Sequence, residues 1–269
     1  MPNPVAAAFV ILATTQPSLF ILPAGIVPTS PHHTHHAELF SRYAPGQNAL
    51  VLAAVDKVQA TAPDGGGYFI GVRAKPAESP IGYELKLFGQ SLLSPPRTTS
   101  YCSGSSYTAF IESLNLMLPG GAATISPDRI ESLRMQEPDG SRREDGVKFW
   151  GHWNEDGFGT LFALVQYSHM GTVVSPAEAR PGDFANISWT SGLGHSVVFL
   201  GFFQDPRTHE KRILYWSSQK GTNGLGDQSS PISKVKDIKF VRLTHPENVF
   251  TFDPNAKVSR GVPGDRIEW

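Results

Sequence analysis

The chain has one cysteine, Cys102, in the stretch SYCSGSSYTAFIESLN. Residues 98–100 are all suitable N-caps, so the sequence predicts that Cys102 lies in the first turn of a helix running to about Met117. The N–H groups and the positive dipole at a helix N-terminus favour thiolate over thiol, and they can hold the oxyanion that forms when a carbonyl is attacked. Cys102 is therefore a candidate nucleophile, and a small buried apolar cysteine is the alternative.

One face of this predicted helix carries small side chains at helical spacing. They are Cys102, Ser106, Ala109 and Ser113, whereas Phe110, Leu114 and Met117 form a bulkier row. A row of small side chains lets a neighbouring element come close to the helix. A cysteine of the ordinary core would have large apolar neighbours on its own face, so the small row favours a cysteine that faces another element.

A histidine would complete this chemistry, because it can take the thiol proton and later protonate a leaving amine. His195 opens the apolar run HSVVFLGF, which is typical of a strand and follows a predicted tight turn at 180–183. Strand alternation puts His195, Val197 and Phe199 on one face, so we expect the imidazole to project toward the helix that carries Cys102. A surface or capping histidine is the alternative.

Three motifs in this order resemble the NlpC-type cell-wall peptidases, papain-like enzymes related to the CHAP amidases. They are Cys102-Ser103-Gly104, Arg180-Pro181-Gly182-Asp183-Phe184, and Gly194-His195 followed by an apolar strand ending in Gly201. The resemblance covers about residues 47–252. It implies an α+β papain-like domain in which the Cys-bearing helix packs on an antiparallel sheet, and it implies amide hydrolysis through a thioester.

The sequence departs from the family pattern at two positions near the cysteine. Tyr101 stands where the family usually has an aspartate, and the tyrosine expected about a dozen residues upstream as an oxyanion donor is absent. Ser103 and Gln90 are the donors that the sequence offers instead.

The span between the candidate nucleophile and His195 is also longer than the resemblance implies, and the surplus falls in a predicted insertion at 119–157. Its Trp150 and Trp153 are candidates for a wall of the substrate cleft. A solvated lid with one packed tryptophan is the alternative.

A third catalytic residue would orient the imidazole from its other nitrogen. The next predicted strand, KRILYWSSQKGTNG, offers Ser217, Gln219 and Asn223. We predict Gln219, because its amide oxygen can accept an N–H bond, although it cannot stabilise an imidazolium as a carboxylate would. Ser217, of the same strand parity, is predicted to line the cleft.

Further elements are predicted from pattern. Residues 46–60 read as a helix that DGGG ends, YFIGVRA and GYELKLF as a hairpin-like pair, and SKVKDIKFVRLTH and NVFTFD as closing strands. The predicted hydrolase domain is 45–255, with a signal-like or disordered segment at 1–44 and a tail at 256–269.

The N-terminal segment has no acidic or basic side chain before Glu38, and its apolar runs at 5–13 and 19–27 are interrupted by TTQPS. This pattern favours a secretory signal over a spanning helix, although a basic n-region is missing. We expect an exported protein, periplasmic or secreted, and a buried N-terminal segment is the alternative.

Four histidines lie at positions 32, 33, 35 and 36 in PHHTHH. With no acid, cysteine or regular helical spacing beside them, they favour a solvated linker over a metal site.

Composition narrows the function classes. The 23 basic and 24 acidic residues give a net charge of -1 without a long run of either sign, which argues against a nucleic-acid partner. We predict a cysteine hydrolase that cleaves amide bonds in peptidoglycan stem peptides, without a metal or organic cofactor. The alternatives are an N-acetylmuramoyl amidase of CHAP type, an acyl transferase acting on lipid, and a cell-wall-binding module without turnover.

Overall fold

The structure is a computed structural model that describes residues 18–70, 81–93, 97–134, 162–256 and 264–269. Its helices are α1 (His36–Phe40), α2 (Asn48–Ala60), α3 (Cys102–Met117) and α4 (Pro127–Leu133), with a short π-helix at Phe162–Tyr167. The predicted helices at 46–60 and 102–117 are confirmed. No helix in the described part of the chain has the length and apolarity needed to cross a bilayer.

The strands form two antiparallel sheets. A small sheet pairs β1 (Leu85–Leu87) with β2 (Gln90–Leu93). The large sheet contains β3 (Gly171–Val174), β4 (Phe184–Trp189), β5 (Gly194–Gln204), β6 (Lys211–Gln219), β7 (Gly224–Pro231) and β8 (Val235–Leu243), in the order β3-β8-β4-β5-β6-β7. The predicted α+β class is therefore correct.

Alternation along the central strands sorts the core onto the two faces of the large sheet. Val198 and Trp216 belong to the cluster that includes the apolar side chains of α2 and α3. Val197 and Tyr215 belong to a second cluster on the other face. His195 has the parity of Val197, so the expectation that its ring points straight at α3 is wrong.

The helix and the histidine instead meet at one end of the sheet. The hydroxyls of Ser106 on α3 and Ser196 on β5 lie 2.6 Å apart, so the small row does admit a close neighbour. One turn later the Phe110 ring packs 6.4 Å from Phe184, whose register partner on β5 is Val198. Helix and strand therefore run in the same direction.

This direction fixes where the cysteine lies. Cys102 is four residues before Ser106, about 6 Å back along the helix axis. That displacement places Cys102 beyond Ser196, near the residues with which β5 begins, and His195 is the second of these.

The predicted turn at 180–183 is confirmed and is anchored by a buried carboxylate. The Asp183 N–H donates to the Arg180 carbonyl at 3.1 Å, and Gly182 has φ +88°. The fully buried Asp183 carboxylate accepts bonds from Arg242 at 2.8 and 2.9 Å and from Asn48 at 2.7 Å. It thereby ties the start of β4 to β8 and α2.

Of the two segments predicted as a hairpin-like pair, GYELKLF contains β1. This strand pairs with residues 90–93 across Phe88 and Gly89, which both have positive φ and so form a tight turn that the sequence did not predict. Residues 71–74 of the other segment, YFIGVRA, lie outside the described part of the chain. The expected strand NVFTFD is partly a 3₁₀-helix at Pro246–Phe250, because the proline favours the first turn of a helix.

The described parts of both chain ends pack on the sheet. Leu22 is buried beside Phe202, to which the neighbouring Ile21 is bridged in parallel. At the other end, Asp265 bridges Ile238 and the Trp269 ring lies 6.1 Å from Phe202.

The contact between Ser106 and Ser196 gives a test of this packing. We expect Ser106→Leu to lower the free energy of unfolding by about 1–3 kcal/mol, because the added side chain overpacks the helix against the strand. Ser106→Ala should cost about 1 kcal/mol, for the lost hydrogen bonding of the hydroxyl to Ser196 and to the helix carbonyls. Urea denaturation measures both, with the exposed Leu116→Gln as a control expected within about 0.5 kcal/mol of wild type. A Ser106→Leu protein as stable as wild type would contradict the close packing.

Candidate active site

Cys102 is the first residue of α3 and is half-buried. The first intrahelical bonds run from the N–H groups of Gly104 and Ser105 to the Tyr101 carbonyl, at 2.9 and 3.2 Å. The N–H of Ser103 precedes these bonds at the open end of the helix. Ser103 as a whole is fully buried, so only the position of its backbone N–H at the open end of the helix, and not exposure, makes that group the candidate oxyanion donor.

His195 and Gln219 form a buried hydrogen-bonded pair, with Nε2 of the ring 3.2 Å from Oε1 of the amide. The amide nitrogen of Gln219 donates to the Gly226 carbonyl at 3.0 Å and to the Thr222 hydroxyl at 2.6 Å. The Thr222 hydroxyl in turn donates to the Gly224 carbonyl at 2.6 Å. These partners fix the orientation of the Gln219 amide.

The fixed amide selects one tautomer of the imidazole. Since Oε1 of Gln219 can only accept, the proton of the neutral His195 ring must be on Nε2. Nδ1 is then the nitrogen that can take a proton from another group. In catalytic triads an orienting residue selects the tautomer of the histidine in this way.

Tyr215 packs beside the histidine. Its ring packs edge-on against His195 at 5.4 Å, and Trp189 lies 6.3 Å from the same imidazole. Burial raises the pKa of the Tyr215 hydroxyl, and the negative charge of the Cys102 thiolate adds to the increase. The thiol and the imidazole therefore both lie in the surroundings of Tyr215.

A cavity of about 310 Å³ opens over the imidazole of His195, and Cys102 is not among the described residues that line it. Its lining includes His195, Gln219 and Tyr215, with the indole of Trp189 on one side and the exposed Leu193 and Lys234 at the rim. A larger cavity of about 660 Å³ lies between residues 18–21, 175–177 and 266–269. The smaller cavity is lined by a histidine, whereas the described residues that line the larger one include neither a cysteine nor a histidine, so the smaller cavity is the candidate active site.

Tyr68 also lines the smaller cavity, and the sequence analysis missed it. The neighbouring Phe69 N–H donates to the Ser100 carbonyl at 3.0 Å, and Tyr68 is bridged in parallel to Ser100, two residues before the candidate nucleophile. The tyrosine judged absent a dozen residues upstream thus has a counterpart farther away in sequence.

The glycines before Tyr68 explain how its segment fits. Gly65, Gly66 and Gly67 all have positive φ, and a Cβ on Gly65 would lie 2.4 Å from the Thr222 carbonyl oxygen. The DGGG motif therefore does more than end α2, because it lets the backbone cross close to β7. Three consecutive glycines directly before an aromatic residue were the available sequence signal.

Three of the other predicted residues lie away from the cavity or outside the described chain. Ser217 is fully buried, bonding the Ser196 carbonyl at 2.7 Å and the Ser105 hydroxyl at 3.1 Å, so it supports the helix and cannot contact a substrate. Trp150 and Trp153 lie outside the residues that the structure describes.

Gln90 is exposed at the wrong end of α3. The adjacent hairpin residue Phe88 donates its N–H to Asn115, which is 13 residues after Cys102 and therefore about 20 Å away along the helix. Gln90 is therefore too far from Cys102 to be an oxyanion donor, and its predicted role is wrong.

The interpretation of residues 32–36 as a solvated linker is also wrong. His36 is fully buried, with Nδ1 2.7 Å from an Asp56 oxygen and Nε2 2.9 Å from an Asp227 oxygen. Burial alone would lower the pKa of His36, but the two carboxylates outweigh it and raise the pKa to about 9. Both aspartates are distant in sequence, so the segment itself carried no sign of these partners.

Comparisons with models of protein families, with curated proteins and with solved structures find no match to this chain. The function of the chain is therefore inferred from the geometry of the site and from the motifs.

The tautomer of His195 can be measured. We expect ¹⁵N NMR of histidine-labelled protein to report the Nε2–H form for the neutral ring, because Oε1 of Gln219 holds that proton. Gln219→Ala should give a mixture of tautomers. Gln228→Ala removes an amide that lines the same cavity and bonds Tyr215 rather than His195, so it should leave the spectrum unchanged. An Nδ1–H ring in the wild-type protein would refute this assignment.

The reactivity of Cys102 gives a second test. We expect iodoacetamide to alkylate the folded protein faster than it alkylates free cysteine, whose pKa is about 8.5, because the helix N-terminus favours the thiolate. Mass spectrometry follows the reaction, and the urea-unfolded chain is the matched control. Alkylation no faster in the folded chain than in the unfolded one would show that Cys102 is a packing residue.

Proposed function

We propose that the protein is a cysteine hydrolase that cleaves an amide bond through a thioester, with Cys102 as nucleophile, His195 as base and Gln219 as the residue that orients the base. The observation that carries the proposal is the fixed Gln219 amide, which leaves Nδ1 of His195 to take a proton at the end of β5 where α3 begins. A hydrogen bond that holds one ring nitrogen and leaves the other available is the arrangement that a catalytic base requires.

The proposed reaction begins with transfer of the Cys102 thiol proton to Nδ1 of His195. The thiolate attacks the carbonyl carbon of the substrate amide, and the resulting oxyanion is held at the open end of α3 by the Ser103 N–H. The imidazolium then gives its proton to the leaving amine as the carbon–nitrogen bond breaks. Water, deprotonated by His195, hydrolyses the thioester to release the acid and restore the thiol.

Tyr68 is the proposed side-chain donor to the oxyanion. It lines the cavity and is attached to the segment that leads directly into α3. A phenol hydroxyl can donate to an oxygen on the cavity side while the helix N–H donates from the other side. Together they would replace the single donor that Gln90 was expected to supply.

The proposed substrate is a peptidoglycan stem peptide, and an N-acetylmuramoyl amide is the second candidate. This choice rests on the resemblance of the three motifs to NlpC-type peptidases. The cavity is compatible with it, because Trp189 and Tyr215 offer flat apolar surfaces and Lys234 offers a cation for the carboxylates of such peptides.

Digestion of purified sacculi tests the proposal. We expect the wild-type protein to release soluble fragments with new amino groups, and mass spectrometry of the fragments identifies the bond. Cys102→Ala and His195→Ala should lower the rate at least 10²-fold, which is the usual contribution of acid–base groups. Gln219→Ala should lose less, because a neutral residue contributes orientation and no charge.

Gln228→Ala is the matched control within the cavity, since it removes an amide without touching His195, and it should retain most of the activity. Full activity in His195→Ala would overturn the mechanism. Binding to sacculi with no release would indicate a cell-wall-binding module, and activity only on acyl esters or lipids would indicate acyl transfer.

A further inference from the structure

Outside the active site, three potential metal ligands converge behind β7. The ring nitrogens of His33 and His36 and the carboxylate of Asp227 lie within 4.8 Å of one another. Nε2 of His33 is 2.8 Å from one Asp227 oxygen, and Nε2 of His36 is 2.9 Å from the other. Both imidazoles therefore direct the same nitrogen at one carboxylate.

The cluster has the outer partners that metal-bound histidines normally have. Nδ1 of His36 lies 2.7 Å from Asp56, which would hold the proton of a metal-bound ring on that nitrogen. The Asp56 carboxylate is itself fixed by the backbone N–H groups of His36 and Ala37, at 2.8 and 2.9 Å. His36 thus has the orientation of a ligand before any ion binds.

The charge of the cluster also favours a divalent cation. Asp56 and Asp227 contribute two negative charges, and a doubly protonated His36 compensates only one of them. Among the described residues, the salt bridges of these two carboxylates are to histidines only. Since Asp227 and His36 are buried, the remaining negative charge is poorly solvated.

We propose that His33, His36 and Asp227 form a zinc site, with water as the fourth ligand. Two imidazoles and a carboxylate suit Zn²⁺, whose bonds of about 2.0–2.2 Å require the ligand atoms to sit about 3.3 Å apart. The separations of 2.8 and 2.9 Å, which run to the two oxygens of Asp227, need a small expansion, and the two imidazole nitrogens, which lie within 4.8 Å of each other, must settle at the same value.

Binding of Zn²⁺ would displace one proton from His36, leaving the ring neutral with its remaining proton on Nδ1. The net charge of the cluster would then be zero. In His33 the proton would move from Nε2 to Nδ1, so the contact of Nδ1 with the His35 N–H, at 3.1 Å, must open to solvent. The loss of this exposed hydrogen bond opposes zinc binding.

The zinc site would join the N-terminal segment to β7, the strand next to the one that carries Gln219. The Asp227 N–H donates to the Pro31 carbonyl at 2.8 Å, and the ring of His32 bonds the Thr222 carbonyl at 2.8 Å. The carbonyl of Gly226, next to Asp227, accepts a hydrogen bond from the side-chain amide of Gln219. The ion would therefore have a structural role and would leave the chemistry to Cys102.

Zinc titration of the chelator-treated full chain tests the proposal. Isothermal calorimetry should give one Zn²⁺ per chain, and zinc should raise the melting temperature. His33→Ala and Asp227→Asn should weaken binding at least tenfold, and Asp56→Asn, which alters the outer partner, about 10- to 100-fold. His35→Ala is the matched control, because His35 lies in the same segment, is exposed and does not contact Asp227; it should bind as wild type does.

Absence of zinc binding and of a thermal shift in the wild-type chain would overturn the proposal, as would equal loss of binding in His35→Ala. Should the ligand variants fail to fold, Co²⁺ added to the wild-type chain gives an independent measurement. Intense visible absorption typical of tetrahedral Co²⁺ supports the site, and the weak absorption of an octahedral ion refutes it. Cys102→Ser should bind zinc unchanged, which separates this site from the proposed hydrolase activity.

Discussion

The close contact of α3 with β5 is the constraint on which the candidate active site depends. Ser106 and Ser196 meet at 2.6 Å because both side chains are small, and Phe110 against Phe184 sets the direction of the helix. A bulkier residue at either serine would separate the helix from the strand. The N-terminus of α3, and the cysteine with it, would then move away from the end of β5 where His195 lies.

Around that contact, the site is built from hydrogen bonds that fix orientation and carry no charge. Gln219 has both amide groups engaged, and its partners Thr222 and Gly226 belong to the turn and strand that follow it. The same turn is approached by Gly65 from the segment that carries Tyr68. His195, the proposed base, and Tyr68, the proposed oxyanion donor, are thus positioned by one region of backbone.

Buried charge in this protein is placed at the junctions between elements. Asp183 joins β4 to β8 and α2 through Arg242 and Asn48. Asp227 joins β7 to α1 and to the segment before α1 through two histidines. Removing one partner of such a pair leaves a charge without solvent or a counterion. These junctions therefore specify which segments pack together more than they add to the stability of each element.

Local chemistry in the sequence was enough to locate the main elements. The helix that begins at Cys102, the turn at 180–183 and the strands carrying His195 and Gln219 follow from N-caps, turn residues and apolar patterns, which act over a few neighbouring residues. The choice of Gln219 was possible because strand parity limits which polar residues can share a face. The positive-φ turn at Phe88 escaped detection because phenylalanine seldom adopts that conformation.

Contacts between distant segments were decided only by the tertiary structure. Tyr68 reaches the cavity through a bridge to Ser100, Gln90 lies at the far end of α3, and His36 is buried between aspartates from α2 and β7. The sequence determined which residues are capable of such chemistry and on which element each lies. Which of them meet depends on how the chain closes around the sheet, because a side chain's partners and its access to water are set by packing rather than by its neighbours in sequence.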